Sequence, residues 1–165
     1  MQYSDPLGFL LTWTTYRTWL HRDLRKSVAK DHAVFSWPKI ESDPGLLRHM
    51  YLKLKQEPFV LELEARRLAD HTIREVSVHR GWILSALNVR TNHVHAVCCG
   101  RVAPEKMLGS FKAWVTRRLR EATVVEPDRR IWTDGRSTRY LWDQKSFDAA
   151  VQYVLHEQGA NLLLA

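Results

Sequence analysis

Two apolar runs separated by only three residues constrain the fold more than any other feature of the sequence. The runs are Trp82–Val89 and His93–Cys99, and the residues between them are Arg90, Thr91 and Asn92. A connection this short joins neighbouring antiparallel strands, because a parallel pair needs a much longer crossover. The two runs therefore predict a β-hairpin in the middle of the chain.

The segments on either side of this hairpin alternate between strand and helix patterns. Phe9–Thr15 is rich in aromatic and β-branched side chains, as strands are. Apolar residues recur at steps of three and four from Leu61 to Val76 and from Leu108 to Ala122, which predicts two helices. Gly81 stands where the first helix should end, and Pro104 where the second should begin.

The remaining segments complete a mixed α+β pattern. A short helix is predicted near Leu46–Leu54, after a long polar loop, and a short strand follows Pro127. Asp134-Gly135 predicts a turn, and Ser146 is the expected cap of a last helix. The order strand, helix, strand, strand, helix, strand, helix predicts an α+β, ferredoxin-like antiparallel sheet with helices packed on it.

Length and composition indicate an ordinary globular chain. The 165 residues are enough for one domain, expected to span residues 1–165. No apolar run is long enough to cross a membrane, and the first residues lack the basic segment and cleavage site of a signal peptide. Cys98 and Cys99 are adjacent and cannot form an ordinary disulfide, so a reducing cytoplasm is the expected location.

The formal net charge of +7 indicates a polyanionic partner. Lysine and arginine bind nucleic acids by replacing the counterions condensed on phosphates. Seven tryptophans and five tyrosines are consistent with an unpaired strand, because exposed rings stack on bases. The alternative is a solvated basic surface with most of the rings in the core.

His93 and His95 are candidate metal ligands. Alternate residues of a strand point to the same face, so both imidazoles are directed to one side while Val94 points to the other. Imidazoles bind transition metals well. The alternative is one surface histidine and one that is hydrogen-bonded to a backbone carbonyl.

The last helix adds Tyr153 and Glu157, which are four residues apart and therefore neighbours on one helix surface. Both lie beside the apolar stripe of that helix, at the rim of the face expected to be buried. A tyrosine and a carboxylate at this rim can project over the edge of the sheet. The alternative is a half-buried tyrosine that packs its ring.

Taken in order, TNHVHAV, a basic helix, the segment RYLWDQ and a helix with a tyrosine resemble a known family. They resemble the IS200/IS605-like single-tyrosine transposases of the HUH endonuclease superfamily, and among these the REP-associated tyrosine transposases most closely. The resemblance spans most of the chain, although the N-terminal signature associated with REP hairpin recognition is not found. It implies a single-domain enzyme of DNA transposition.

The resemblance also implies a mechanism and its residues. Tyr153 is implied as the nucleophile that cleaves and rejoins single-stranded or hairpin DNA through a 5′-phosphotyrosine intermediate. His93 and His95 are implied as ligands of a divalent metal, Mg²⁺ or Mn²⁺, and Mn²⁺ best suits both the histidines and the family. The third ligand is expected at Glu157, one turn after the tyrosine, with Gln158 as the alternative if the helix is distorted near its end.

Candidate DNA contacts lie in three basic segments. The residues are Arg17 and Arg22 in the loop after the first strand, Lys112, Arg117 and Arg120 on a helix, and Arg136 and Arg139 among aromatic residues. The last pair is the strongest, because guanidinium groups and bases both stack on rings. Trp142 is expected in the core or as a wall behind the site, and Asn92 is expected to shape the hairpin turn.

Two other functions remain open on sequence grounds. One is a domesticated DNA-hairpin-binding protein that has lost catalysis. The other, less favoured, is a metal-dependent hydrolase of small molecules that uses His93 and His95 with water as the nucleophile. The sequence also leaves open whether the protein is a monomer or a homodimer.

Overall fold

The computed structural model describes residues 5–18 and 56–157, which contain four strands and three helices. In chain order they are β1 (Gly8–Thr15), α1 (Leu63–Arg80), β2 (Ile83–Val89), β3 (His93–Cys99), α2 (Pro104–Glu121), β4 (Trp132–Leu141) and α3 (Gln144–His156). The helix predicted near Leu46–Leu54 lies outside the described residues. No helix in the described ranges is long and apolar enough to cross a membrane.

The strands form one antiparallel sheet in the order β2-β3-β1-β4. The predicted hairpin joins β2 and β3, and the backbone N–H of Arg90 donates to the carbonyl of His93 across its turn at 2.8 Å. Helix α1 connects β1 to β2, with β3 between them in the sheet, and helix α2 connects β3 to β4, with β1 between them. Strands β1 and β3 therefore lie at the centre. This is the interleaved arrangement of a ferredoxin-like fold, and the predicted α+β class is confirmed.

The two faces of the sheet are covered by different helices. Helices α1 and α2 pack on one face, where Trp13, Val94 and Phe111 are among the fully buried side chains. Helix α3 packs on the other face through Ala150 and Val154. Because alternate residues of β3 point to opposite faces, Val94 enters the larger core and both histidines lie on the α3 face.

The turn predicted at Asp134-Gly135 is wrong, because β4 runs without a break from Trp132 to Leu141. The register of β4 against β1 shifts between Trp13 and Thr15, whose partners are Arg136 and Trp132, so β4 holds extra residues there. This is a β-bulge, which accommodates extra residues without ending a strand. A tertiary contact supports it: the Lys112 ammonium donates to the carbonyls of Thr133 at 2.8 Å and Gly135 at 3.4 Å.

The predicted cap of the last helix is also wrong. Asp143 is the N-cap residue of α3, and its carboxylate accepts a hydrogen bond from the Ser146 backbone N–H at 2.8 Å. Ser146 takes the reciprocal role of a capping box, in which its hydroxyl faces the Asp143 backbone N–H at 3.4 Å. Both residue types cap helices well, so the choice depends on the backbone path out of β4.

Smaller corrections concern the other helices. Helix α1 begins at Leu63, and Leu61 is buried just before it. It ends at Arg80, and Gly81 follows with a φ of 67°, as predicted for the left-handed residue after a helix. Helix α2 ends at Glu121, so Ala122 is an exposed cap residue and does not belong to the buried stripe.

Candidate active site

A cleft of about 600 Å³ opens between helix α3 and the face of the sheet that α3 covers. Strands β1, β3 and β4 form its floor, and α3 forms one wall. Its lining residues are Leu10, Thr12, Thr14, His93, His95, Ser137, Arg139, Ala149, Ala150 and Tyr153. None of these ten residues carries a carboxylate, and Arg139 contributes a positive charge. The lining therefore suits an anionic substrate.

The two histidines stand side by side on the floor of the cleft, with ring centroids 4.8 Å apart. His93 Nδ1 lies 2.6 Å from the side-chain oxygen of Asn92, and His95 Nδ1 shares a hydrogen bond of 2.8 Å with the Thr12 hydroxyl. Because the amide oxygen of Asn92 only accepts, this contact requires a proton on His93 Nδ1, and in the neutral ring the lone pair is then on Nε2. Metal-binding histidines are commonly oriented by such contacts through the other ring nitrogen.

Tyr153 faces the histidines from the wall of the cleft. Its ring centroid lies 5.5 Å from that of His95, at an interplanar angle of 78°. Its neighbours Ala150 and Val154 are buried against the sheet, which holds this face of α3 toward β3. The structure thus brings together three residues singled out in the sequence, from two elements some sixty positions apart.

Asn88 ties helix α3 to the sheet beside this group. It pairs with His95 across the β2–β3 ladder and is only 3% exposed. Its Nδ2 donates to the backbone carbonyl of Val154 at 3.0 Å. That carbonyl belongs to the last turn of α3, where carbonyls lack partners within the helix. Asn88 was not predicted as part of the site, since its only signal in the sequence is a single amide side chain in an apolar strand.

Asn92 and Thr12 were also missed as parts of the site. Asn92 was expected only to shape the turn, and its backbone carbonyl does accept from the Thr15 backbone N–H at 2.9 Å. Its side chain, however, orients His93, and Thr12 does the same for His95. A threonine on a neighbouring strand carries no sequence signal of such a contact.

Within the described part of the chain, no third metal ligand is placed beside the two histidines. Glu157 is the C-cap residue of α3, its side chain is exposed, and it does not line the cleft. Within residues 5–18 and 56–157, no three histidine, cysteine, aspartate or glutamate side chains come together to hold a metal. Gln158 lies outside the described residues. His93 and His95 nonetheless fit two ligands of a metal ion, because both rings are oriented from Nδ1.

The basic residues on α2 lie on the far face of the sheet from the cleft. Lys112 uses its ammonium on the carbonyls of the β4 bulge, and burial lowers its pKa. Arg117 donates to Glu121 at 2.7 Å, and Arg120 donates to the carbonyl of Arg129 at 3.4 Å. The structure does not bring these three candidates to the histidines.

The other predicted DNA contacts have varied positions. Arg139 lines the cleft, whereas Arg136 is exposed on β4 opposite Trp13, near the bulge. Arg17 follows β1 with a φ of 58°, and its guanidinium lies 5.3 Å from the centre of the Tyr16 ring. Arg22 lies outside the described residues. Of the predicted arginines in the described ranges, Arg139 alone lines the cleft.

Trp142 was expected in the core or as a wall behind the site, but it is exposed and does not line the cleft. Its side chain is 56% exposed, and its ring stacks on that of Tyr140 with centroids 5.7 Å apart and an interplanar angle of 13°. Trp142 follows the last residue of β4, so no neighbouring strand covers it. Sequence composition favoured burial of the ring, but its position at the end of an edge strand leaves it in solvent.

Comparisons with known proteins bear on the fold. No family model matches the sequence, and no curated protein matches it significantly. Among solved structures, a candidate transposase from Deinococcus radiodurans is similar over 97% of this chain and 96% of its own, with 17% identity and a TM-score of 0.52. A REP-associated tyrosine transposase bound to a REP hairpin is similar over 96% of this chain and 73% of its own, with 15% identity and a TM-score of 0.49.

The similarity to the Deinococcus protein, a candidate transposase, extends over almost the whole of both chains. At this level of identity the likeness concerns the fold and not the residues of the site. The resemblance inferred from the sequence is therefore confirmed in its architecture, and the chain has a transposase-like fold.

Proposed function

We propose that this protein is a metal-dependent strand transferase that cleaves and rejoins single-stranded or hairpin DNA through Tyr153. One observation carries the proposal: a tyrosine and two oriented histidines line the same cleft, which has an arginine and no carboxylate among its lining residues. A phosphodiester fits this lining, because an anion gains from Arg139 and meets no opposing charge. The transposase-like fold supports the same substrate class.

The proposed reaction transfers a phosphoryl group to a side chain. Tyr153 loses its phenolic proton and its oxygen forms a bond to phosphorus, while the bond from phosphorus to the 3′ oxygen breaks. The leaving oxygen takes up a proton, so a 5′-phosphotyrosine and a 3′-hydroxyl result. The covalent link retains the energy of the broken bond, and a second strand can be joined by the reverse step.

The metal is assigned to His93 and His95, with Mg²⁺ or Mn²⁺ as the ion. When bound, it would polarise a non-bridging phosphate oxygen and offset the charge that develops during attack. Asn92 and Thr12 hold the two rings in place before the ion binds. Glu157 remains the proposed third ligand, and Gln158 remains the alternative.

The test is covalent capture. The protein is incubated with labelled single-stranded and hairpin DNA and Mn²⁺, and the products are separated on a denaturing gel. We expect a protein–DNA adduct that disappears in Tyr153→Phe and in a His93→Ala, His95→Ala double variant. Tyr16→Phe is the matched control, because it removes a phenol outside the cleft and keeps the ring. An adduct that persists in Tyr153→Phe would exclude this tyrosine as the nucleophile.

A second candidate function is a DNA-hairpin-binding protein without catalysis. One observation favours it: Glu157 is exposed at the end of α3 and does not line the cleft with the histidines. This function predicts salt-sensitive binding that does not depend on metal, and no adduct across varied hairpins and ions. Metal titrations of Glu157→Ala and Gln158→Ala distinguish the two functions, because only the catalytic one predicts a loss of affinity for the ion.

A further inference from the structure

Tyr140 and Trp142 form an exposed aromatic surface, here named the ring platform. The two rings are 42% and 56% exposed and lie nearly parallel. Tyr140 is held from below by the buried ring of Phe9, which meets it edge-on at 5.1 Å and 88°. The contact with Phe9 and the mutual stack limit the rotamers of both side chains. The platform is therefore ordered before any ligand binds.

The ring platform and the cleft lie on opposite faces of the sheet, next to the same edge strand, β4. Strand β4 is the last strand in the order β2-β3-β1-β4, so one of its sides has no neighbouring strand. Ser137 and Arg139 line the cleft on the α3 face, and Tyr140, by alternation, points to the opposite face. Tyr140 follows Ser137 by three positions along the strand, which corresponds to about 10 Å. A flexible chain leaving the cleft can pass Arg139 and reach the platform around this edge.

We propose that the ring platform binds an unpaired base of the DNA strand that occupies the cleft. This inference rests on the proposed function, because it takes single-stranded DNA as the partner. Two parallel ring faces offer the stacking surface that any base accepts. Arg139, which adjoins Tyr140 in sequence and lines the cleft, provides a cation for the phosphate between the two sites. A paired base would not bind, because its faces are already covered by its neighbours in the duplex.

The charge of the chain favours nucleic acid over an apolar protein partner. The formal net charge is +7, and Arg136 and Arg139 precede the platform along β4. An apolar peptide would gain nothing from these arginines and would have to cover them. A strand with one phosphate for each base uses both the rings and the cations.

The test measures equilibrium binding by fluorescence anisotropy of labelled oligonucleotides. It uses Tyr153→Phe as the background, so that covalent capture does not contribute. We expect Trp142→Leu and Tyr140→Leu each to weaken binding of single-stranded DNA about 5- to 150-fold, the range for loss of one stacked base. Trp142→Phe should restore most of the affinity, because it keeps a ring. Ile83→Ala is the matched control, since it shortens an exposed apolar side chain on β2, at the opposite edge of the sheet.

Two further measurements identify the cause of a loss. The slope of affinity against salt concentration should stay the same in Trp142→Leu, because stacking releases no counterions, and should fall in Arg139→Ala. An abasic site introduced at one nucleotide at a time should weaken binding at only one or two positions of the oligonucleotide. In the Trp142→Leu variant, an abasic site at those same positions should weaken binding no further.

Unchanged affinity of both leucine variants would overturn the proposal, and so would an equal loss on fully paired DNA. These outcomes are separate from failure of the proposed function. If Tyr153 formed no adduct, base binding at the ring platform would still be measured in the same assay. If the platform failed, the covalent adduct would still form in the protein with an intact Tyr153.

Discussion

Replacement of Asn88 by leucine should separate stability from activity. Asn88 is buried, its Nδ2 holds the carbonyl of Val154, and its Oδ1 has no hydrogen-bond partner among the described residues. Leucine has nearly the same size and removes both the hydrogen bond and the unpaired oxygen. The variant therefore loses a stabilising hydrogen bond to Val154 and also loses the destabilising burial of the unpaired Oδ1.

The magnitudes of the two effects nearly cancel. Loss of the hydrogen bond costs about 1 kcal/mol of unfolding free energy. Removal of the unpaired buried oxygen returns roughly 1–3 kcal/mol, and the leucine methyl groups add a hydrophobic contribution. Loss of the donor at the Val154 carbonyl offsets part of this gain. We expect a net change within about 1 kcal/mol, which is a shift of roughly 2–4 °C in Tm for a chain of this size.

The effect on chemistry should be larger, because the lost bond connects α3 to the strand beside His95. A displacement of about 1 Å in a reacting group can reduce a rate about 100-fold. We therefore expect Asn88→Leu to slow adduct formation at least tenfold while DNA affinity and Tm stay near those of the original protein. Adduct formation is followed in time on denaturing gels, and Tm is measured by circular dichroism.

Asn88→Asp is the matched comparison for this experiment. It keeps the shape but replaces the donor by a buried carboxylate facing a carbonyl oxygen, so a strong loss of stability is expected. If Asn88→Leu lost several degrees in Tm and retained the original rate of adduct formation, the expectation that the bond from Asn88 to α3 keeps Tyr153 in position beside His95 would be wrong.

Three further predictions concern other parts of the structure. Lys112→Met should lower Tm by roughly 2–4 °C, equivalent to about 1 kcal/mol, because the β4 bulge loses its donor, and should leave the salt dependence of DNA binding unchanged. Lys106→Met, at an exposed position on the same helix, should leave both Tm and the salt dependence unchanged. Burial raises the pKa of the Cys98 thiol to about 12, so alkylation at pH 8 should require unfolding. The stability that this thiol contributes is present below its unfolded pKa of about 8.5 and is lost as pH rises toward 12; chemical denaturation of Cys98→Ala should show a weaker alkaline decline. The Ser146 backbone N–H lowers the pKa of Asp143, so its stabilisation is present above about pH 4 and is lost as pH falls through the lowered value; a denaturation difference between the original protein and Asp143→Ala that grows with acid would contradict this.

The elements and residues that could be predicted from sequence are those whose signal is local. The alternation of β3 places His93 and His95 on one face, and the helical spacing of the last segment places Tyr153 beside the apolar stripe. The three-residue connection fixes the hairpin. Each of these patterns is complete within about ten residues, so no distant contact is needed to interpret it.

The features that were missed depend on partners distant in the chain. The turn signal of Asp134-Gly135 is overridden because Lys112, on another element, satisfies the bulge. Asn88 can bond to the Val154 carbonyl only after α3 has packed against β2. Thr12 can orient His95 only after β1 has paired with β3. Local propensity cannot reveal such contacts, since none of them exists until the tertiary structure forms.

The central position of β1 has a consequence for the order of folding. Strand β1 lies between β3, which carries His93 and His95, and β4, which carries Arg139. Thr12 on β1 contacts His95 although the two are 83 positions apart in the chain. Long-range pairings of this kind form slowly, because the entropy of closing large loops is lost before the contacts stabilise the chain. During synthesis, the ribosome releases the histidines well before the tyrosine. A nascent chain therefore does not bring His93, His95 and Tyr153, the residues of the proposed active site, together until helix α3 has emerged and docked.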